Sequence, residues 1–510
     1  MSKRGWITSG ACALLSLTAV EANAQAQATD EMARKLVTAL ERYIDNRLLE
    51  PNPGWVLEQD DRIEVVPAGD YYAGSIPPGR LLMLGDEFGW VWTIDEPLEF
   101  DLRIDEGGWY HVDFNVPSSI QIAQYRGLSL SENEPSSEID FEATATIGSQ
   151  VGTVLIVPDY EQTLDFEIIW NDVEVTFEGL EDTITLGRFS ALQTAPADGA
   201  ELDDLSIERT FDLANLAIDT GRGSRMELDT ATVISTWAGF DMPAFYEFFA
   251  AADPLFSLLQ AEPDDPEPYR LLRNVLANTP NLFNEVTGEI GLKGLRIREP
   301  AGNVDLEEIS VGFNLEGLSG NSADLALSFR LADLQLGPQV PNRDLIPTNA
   351  GYDIRANDLP TEALYGWLDD FLATVPSLGP DIALPASLFS LYEDLAGTGA
   401  VLDIRDIHVE TDTARLDFSS RIRPDTAAMF GATVEADLSA TAMDRMTEAI
   451  NDLPFGGSRL SAGLAVIQAF GARDTNEEGD SVHNYQFEVT RDGMFMLNGN
   501  DMSPIMNLIR

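Results

Sequence analysis

Apolar residues recur at every second position in segment after segment of this chain, with acidic or polar residues between them. Leu164, Phe166, Ile168 and Trp170 alternate in this way, and the pattern resumes at Val173, Val175 and Phe177 after Asn171-Asp172. The same one-sided spacing runs through Phe100 to Phe114, Leu325-Leu327-Phe329-Leu331, Leu402 to Val409, Leu416-Phe418-Ile422 and Tyr485-Phe487-Val489. A strand points successive side chains to opposite faces, so period two means a sheet with one apolar and one solvated face. Such a sheet is antiparallel, because strands of a doubly wound parallel sheet are covered on both sides and read as continuous apolar runs. Asn171-Asp172 and Arg491-Asp492-Gly493-Met494 have turn chemistry, and each predicts a tight hairpin.

Helical spacing takes over at defined places. Met32, Leu36, Ala39, Leu40, Tyr43, Ile44 and Leu48 share one face of a helix over roughly Asp30 to Leu49, with Thr29 or Asp30 as its cap and Pro51 and Pro53 beyond its end. Such a stripe packs on a sheet by default, with a membrane surface as the alternative. A second pattern repeats. Met226 to Phe249 runs from a strand through Gly239-Phe240-Asp241-Met242-Pro243 into an aromatic helix, and Gly351 to Leu372 runs through Asn357-Asp358-Leu359-Pro360 into another. A weaker copy runs from Thr433 through Ala440-Thr441-Ala442-Met443-Asp444 to Leu453. Proline in a first helical turn sacrifices no hydrogen bond, so each unit ends a strand with a helix that can cover sheet. The stretches 262–268, 337–341 and Pro376 to Pro385 read as linkers.

Residues 1 to 24 carry Lys3 and Arg4, a short apolar run from Ala11 to Val20, and Ala22-Asn23-Ala24. That is an export signal, which predicts a periplasmic protein beginning near Gln25, or a tethered one where the signal is kept. The single cysteine, Cys12, lies inside the signal, so thiol chemistry is excluded from the exported part. The formal net charge is -55, and Lys3, Lys35 and Lys293 are the only lysines. Phosphate backbones need clustered Lys and Arg, so nucleic acid is excluded as a partner.

These signals predict an α+β fold. The expected form is an elongated, curved, mostly antiparallel β-sheet built from repeated strand-hairpin-helix units, with helices covering part of one face. The expected segments are the signal at 1–24, an N-terminal helix and β-rich region at 25–205, middle repeat units at 206–383, and a C-terminal unit with a closing hairpin at 384–510.

The C-terminal order of elements resembles a known family. Val401 to Ile422 as a hairpin, Ala432 to Leu438 as a strand, Met443 to Leu453 and Leu460 to Phe470 as helices, and the closing pattern from Phe487 through Gly493 to Gly499 are similar to the Gram-negative envelope domain-of-unknown-function family numbered twenty-one twenty-five. That layout is distantly similar to AsmA-like proteins. The resemblance covers about the last 230 residues, and the tail Asn500-Asp501-Met502-Ser503-Pro504 departs from it. It implies a curved sheet with an apolar trough suited to acyl chains, and it brings no catalytic residues.

Catalytic patterns are sparse. His111, His408 and His483 are isolated, with none of the spacing that builds a metal or triad site. Gly317-Leu318-Ser319-Gly320 lacks the Gly-x-Ser-x-Gly elbow, and Asp474 to Asp480 has early calcium-loop ligands but Tyr485 at the twelfth position. Carboxylate pairs such as Asp60-Asp61 and Asp369-Asp370 follow from 86 acidic residues. The chain is therefore expected to be no enzyme, with no cofactor and no metal. The expected function is an apolar groove that binds or passes hydrophobic ligands such as lipid chains, with Phe166, Ile168, Trp170, Phe245, Phe248, Phe249, Leu327, Phe329, Phe418 and Phe487 as candidate lining. The alternatives are an envelope scaffold that contacts another envelope protein, and a hydrolase acting on an envelope substrate.

Overall fold

A computed structural model describes residues 28–44, 55–59, 61–83, 88–126, 138–158, 162–195, 202–261, 265–278, 282–396, 398–451, 461, 464–465, 468–476 and 479–503. Residues 1–24, expected as an export signal, lie outside the described residues, and of the helix expected over Leu460 to Phe470 the described residues 461, 464–465 and 468–470 are helical. The fold is mostly antiparallel sheet with helices, and every described strand pairing is antiparallel. The chain divides into two compact units, the first comprising Met1–Ala200, Ile207–Val233 and Ile297–Pro300, the second Glu201–Ser206, Ile234–Arg296 and Ala301–Arg510.

In the first unit, helix α1 (Asp30–Tyr43) starts where the Thr29 hydroxyl accepts the Met32 N–H at 3.2 Å. Asp30 and Glu31 in its first turn and Arg42 in its last complement the helix dipole. The strands are β1 (Trp55–Gln59), β2 (Glu64–Pro67), β3 (Tyr72–Ile76), β4 (Gly79–Met83), β5 (Phe88–Ile94), β6 (Leu98–Ile104), β7 (Tyr110–Asn115), β8 (Ser119–Arg126), β9 (Glu138–Val157), β10 (Gln162–Phe177), β11 (Thr183–Thr194) and most of β12 (Leu205–Thr220).

Strand β9 forks the sheet. Its first half pairs with β8, which leads through β5 and β4 to β1, and its second half pairs with β7, which leads through β6 and β3 to β2. At the fork, the Gln150 side-chain amide takes the place of a strand neighbour. Its Oε1 accepts the Val116 N–H at 3.0 Å, and its Nε2 donates to the Val116 carbonyl.

The core of this unit lies between α1 and the branch through β7. Ala33, Leu36, Ala39, Leu40 and Ile44 are buried against Val65, Tyr72, Phe100, Leu102, Tyr110, Val112, Phe114, Val154, Ile156, Phe166, Ile168 and Phe189. The amphipathic stripe thus packs on the apolar sheet face, as its spacing requires.

Asn171-Asp172 does not form the expected hairpin. Both neighbours of Asp172 stay paired with the flanking strands, Asn171 with Ser149 and Arg188, and Val173 with Ile147 and Leu186, so β10 is one continuous strand. Asp172 sits at φ 53, and in β12 Asn215 sits at φ 56. Gly148 and Gly187 face them across the ladders, where an added Cβ would come within 3.0 Å of Asp172 and 3.1 Å of Asn215. Asp and Asn tolerate the left-handed region that other side chains avoid. The residue types that make turns therefore also make a bend within a strand. Across this row the apolar spacing lengthens from two to three, from Trp170 to Val173, Leu186 to Phe189 and Leu213 to Leu216, and Leu186 and Phe189 still pack in the same core.

The second unit contains the end of β13 (Ser224–Phe240), then helices α2 (Met242–Ala261) and α3 (Pro266–Asn278), most of β14 (Glu285–Glu299), and strands β15 (Gly302–Glu316), β16 (Ser322–Leu336) and β17 (Asn349–Pro360). Helices α4 (Thr361–Leu378) and α5 (Pro380–Leu395) follow, then β18 (Val401–Glu410), β19 (Arg415–Pro424), β20 (Ala432–Thr441), helix α6 (Met443–Asn451), β21 (Ala472–Thr475), β22 (Ser481–Val489), β23 (Phe495–Leu497) and β24 (Asn500–Asp501). Strands β15 to β20 pair in sequence, and β22 continues the sheet from β20. The closing hairpin β22–β23 forms around Gly493 at φ 80, as its turn residues predict.

The three strand-to-helix copies share a backbone device. A left-handed residue precedes each helix, Gly239 at φ 63, Asp358 at φ 55 and Ala442 at φ 56. Asp241 then caps α2 by accepting the Ala244 N–H at 2.8 Å. Pro376 to Pro385, expected as a linker, is helical instead: Pro376 lies in α4, Gly379 at φ 74 breaks the chain, and Pro380 opens α5. Pro380 stands where no N–H is needed, so the proline-rich spelling is compatible with a helix start. The expected segment border at 383 consequently falls inside α5.

Candidate functional site: an open apolar sheet face

Residues directly paired across neighbouring strands share a face, so the register of the second unit shows what its sheet presents. One row runs Val311, Phe329, Tyr352, Ile407, Phe418, Leu438 and Tyr485 from β15 to β22. The next runs Phe313, Leu327, Ile354, Ile404, Ser420, Ala436, Phe487 and Leu497. A third runs Ile309, Leu331, Ala350, Val409, Leu416, Ala440 and His483. The rows form one nearly unbroken apolar face, on which Phe329 stacks on Tyr352 with ring centroids 5.6 Å apart. Gly288 of β14 makes room beside it, since an added Cβ there would come within 2.2 Å of the Phe313 ring.

Much of the face is open, although Ser420, Ala436, Ala440, His483 and Tyr485 within these rows are buried. Val311 is 48% exposed, Phe313 45%, Leu327 and Phe487 41% each, and Leu416 39%. Helices α2, α3 and α4 instead bury their apolar residues on one another: Ala252, Leu255, Leu272 and Leu372 form a core joined by Phe248, Tyr269, Leu368 and Phe371, all of them helical. A two-pronged Arg273 to Asp369 ion pair, both contacts 2.6 Å, ties α3 to α4 and holds the Asp369 carboxyl below its ordinary range. Helix α6 closes one corner, where Tyr485 is 2% exposed and its hydroxyl meets the Met443 sulfur at 4.0 Å.

The opposite face of the same strands is polar. It carries Arg421 on Asp403 at 2.7 Å, Arg355 on Asp353 at 3.0 Å, Arg415 on Asp417 at 2.8 Å, and Glu308 shared by Lys293 and Arg330 at 3.4 Å each. The Arg421 guanidinium hydrogen-bonded to Asp403 holds that carboxyl below the usual carboxylate range. A concavity of about 570 Å³ on this side is lined by Arg405, Asp417, Asp437, Asn484 and Gln486. In the first unit, one of about 580 Å³ is lined by Glu64, Glu99, Asp101 and Asp113. Both hollows mix polar and apolar lining, that of the second unit also touching Phe418, Leu438 and Tyr485 and that of the first unit Phe100, Phe114 and Val151, and both open to the surface.

The candidate lining residues separate into three places. Leu327, Phe329, Phe418 and Phe487 lie together on the open face. Phe166 and Ile168 are buried in the core under α1, and Trp170 packs on Phe189 beside it with ring centroids 5.1 Å apart. Phe245 and Phe249 continue an aromatic chain from Trp237 and Phe240, while Phe248 belongs to the helical core. Val311, Phe313, Ile354, Ile404 and Ile407 complete the face without having been singled out; the alternation Val311-Gly312-Phe313-Asn314-Leu315 is the signal that identifies the first two.

The histidines stay apart. His111 pairs with Asp105 at 3.2 Å in the first unit, and His408 pairs with Asp406 at 3.3 Å on the polar face of the second. His483 is 4% exposed, with no hydrogen-bond partner for either ring nitrogen among the described residues. Among the described residues no group of three His, Cys, Asp or Glu side chains is placed to hold a metal ion, and no helix is long and apolar enough to cross a membrane. Comparison with protein-family models, with curated proteins and with solved structures finds no match to this chain.

Proposed function

We propose that this protein is a non-enzymatic, exported envelope protein that binds or passes hydrophobic ligands, lipid chains in particular, along the apolar sheet face of its second unit. The reading rests on one observation: Val311, Phe313, Leu327 and Phe487 remain 41–48% exposed on a continuous apolar face. Scattered apolar side chains on a surface are ordinary, but a contiguous patch of them marks a contact site. Each methylene laid against these side chains contributes roughly 0.8 kcal/mol, so an acyl chain is held without any headgroup chemistry. The export reading rests on the charged and apolar pattern of residues 1 to 24, and the AsmA-like resemblance supplies the same kind of trough.

Mass spectrometry of lipids extracted from the purified protein tests this. The protein should carry lipid above the level of a control protein prepared alongside, and Leu327→Asp with Phe329→Asp should remove most of it. Equal lipid in the protein and the control would sink the reading and favour a scaffold.

A further inference from the structure

Two hairpin tips of the second unit sit side by side. In the β19–β20 connection, Met429 donates its N–H to the Arg491 carbonyl of the β22–β23 connection at 3.0 Å, and the Arg491 guanidinium pairs with Asp425 at 3.0 Å. The first tip is fastened internally as well. The Asp425 carboxylate accepts the Ala427 N–H at 2.8 Å, Ala428 N–H donates to the Asp425 carbonyl at 3.0 Å, and Asp425 N–H donates to the Gly431 carbonyl at 2.6 Å. In the second tip, Gly493 N–H donates to Thr490 at 2.9 Å and Thr490 N–H to Met494 at 3.0 Å.

These ordered turns hold apolar side chains outward. Met429 is 72% exposed, the most exposed large apolar side chain among the described residues, with Phe430 at 42% and Met494 at 43%. The tip backbone is held by its own hydrogen bonds, and these side chains leave much of their apolar surface in water. The tip is continuous with the open face. Phe430 lies 5.1 Å from Phe495 between ring centroids, and Phe495 pairs with Val489, which pairs with Val434 at the end of the apolar rows.

We infer that these paired tips dock the protein on the surface of a charge-neutral, zwitterionic bilayer, the source or destination of the lipid chains. The inference rests on the lipid-binding reading for its purpose, but its chemistry is separate. The three tip side chains by themselves bury far less than the roughly 1,200 Å² of a stable protein interface, whereas insertion into a bilayer interface sets no such minimum and strengthens, reversibly, with the apolar area that enters. The flanking charges decide the kind of bilayer. Asp425, Asp492, Glu435 and Glu488 surround the tips, and both nearby arginines are engaged, Arg491 with Asp425 and Arg423 with Glu435 at 3.5 Å. Such a surface repels anionic headgroups, whose recognition requires basic clusters.

Flotation of the purified protein with vesicles tests the inference. It should float with phosphatidylcholine vesicles and float less when a third of the lipid is phosphatidylserine. Replacing Met429, Phe430 and Met494 together by serine should lower the floated fraction at least severalfold with an unchanged melting temperature. If that variant melts early, Met429→Asp alone decides, because that side chain is the most exposed of the three and the ring contact of Phe430 stays intact. Leu327→Asp should still float while losing extracted lipid, so failure of the groove and failure of the tip are distinguishable. A protein that stays at the bottom of the gradient, tip variants that float like the parent, or stronger flotation with phosphatidylserine would overturn the inference.

Discussion

In the first unit the apolar sheet face meets α1 and Leu36 is wholly buried, whereas in the second unit Phe313 and Leu327 sit on an equally continuous face and stay 45% and 41% exposed. Period-two alternation is the same in both. The difference lies in the helices. The stripe of α1 leaves a polar back, so that helix has only one surface to bury and buries it on strands. Helices α2 and α4 present apolar residues around much of their circumference, and together with the amphipathic α3 they bury them against each other through Leu255, Leu272 and Leu372. A strand pattern therefore says that a face is apolar, and the helices decide whether it is filled.

Matched leucine truncations on the two apolar faces are the strongest way to break this comparison. Leu36→Ala should cost about 3 kcal/mol in urea unfolding, since it empties a closed core. Leu327→Ala should cost less than about 1 kcal/mol, because its side chain is already partly in water. Similar costs at the two sites would show that the second face is covered. A charge sharpens the same point: Phe313→Glu should abolish binding of an apolar dye such as Nile red while shifting the melting temperature by no more than about 3 °C.

The in-strand bends should behave alike in both units. Asp172→Val should destabilise by about 1–2 kcal/mol, and Asp172→Gly should be neutral or mildly stabilising, because only the β-branched side chain is strained at φ 53. Asp333 of β16, at φ 49, should give the same contrast in the second unit. A neutral valine at either site, measured by the same unfolding assay, would argue against an obligatory left-handed residue.

The smallest effect belongs to the polar face. Because Arg421 lowers the Asp403 pKa in the folded protein, the pair's contribution is present above the ordinary Asp value of about 4 and is lost as pH falls below it. Asp403→Asn should flatten that part of the stability profile, and an unchanged acid limb would show that the pair adds nothing.

Much of the fold is legible in the residues. The alternation at 325–331, 402–409 and 416–422 marks β16, β18 and β19, and the stripe from Met32 to Ile44 marks α1 together with what it packs on. Less can be read where one residue type serves two geometries. Asn171-Asp172 spells a hairpin turn as well as a bend, and only its neighbours' continued pairing separates them. Site legibility was limited in the same way. Phe166-x-Ile168 and Leu327-x-Phe329 share a pattern, yet the first pair lies under a helix and the second does not, and coverage is a tertiary property absent from either segment.

The fork at β9 bears on how the protein avoids sticking to copies of itself. A twenty-residue strand with one open edge would be a template for amyloid-like growth. Dividing that edge between β8 and β7, with the Gln150 amide bridging the gap, leaves only short lengths of backbone to be bared when either branch frays. Gln150→Ala should therefore reveal itself first as precipitation during slow heating, before any loss of the circular-dichroism signal of the sheet.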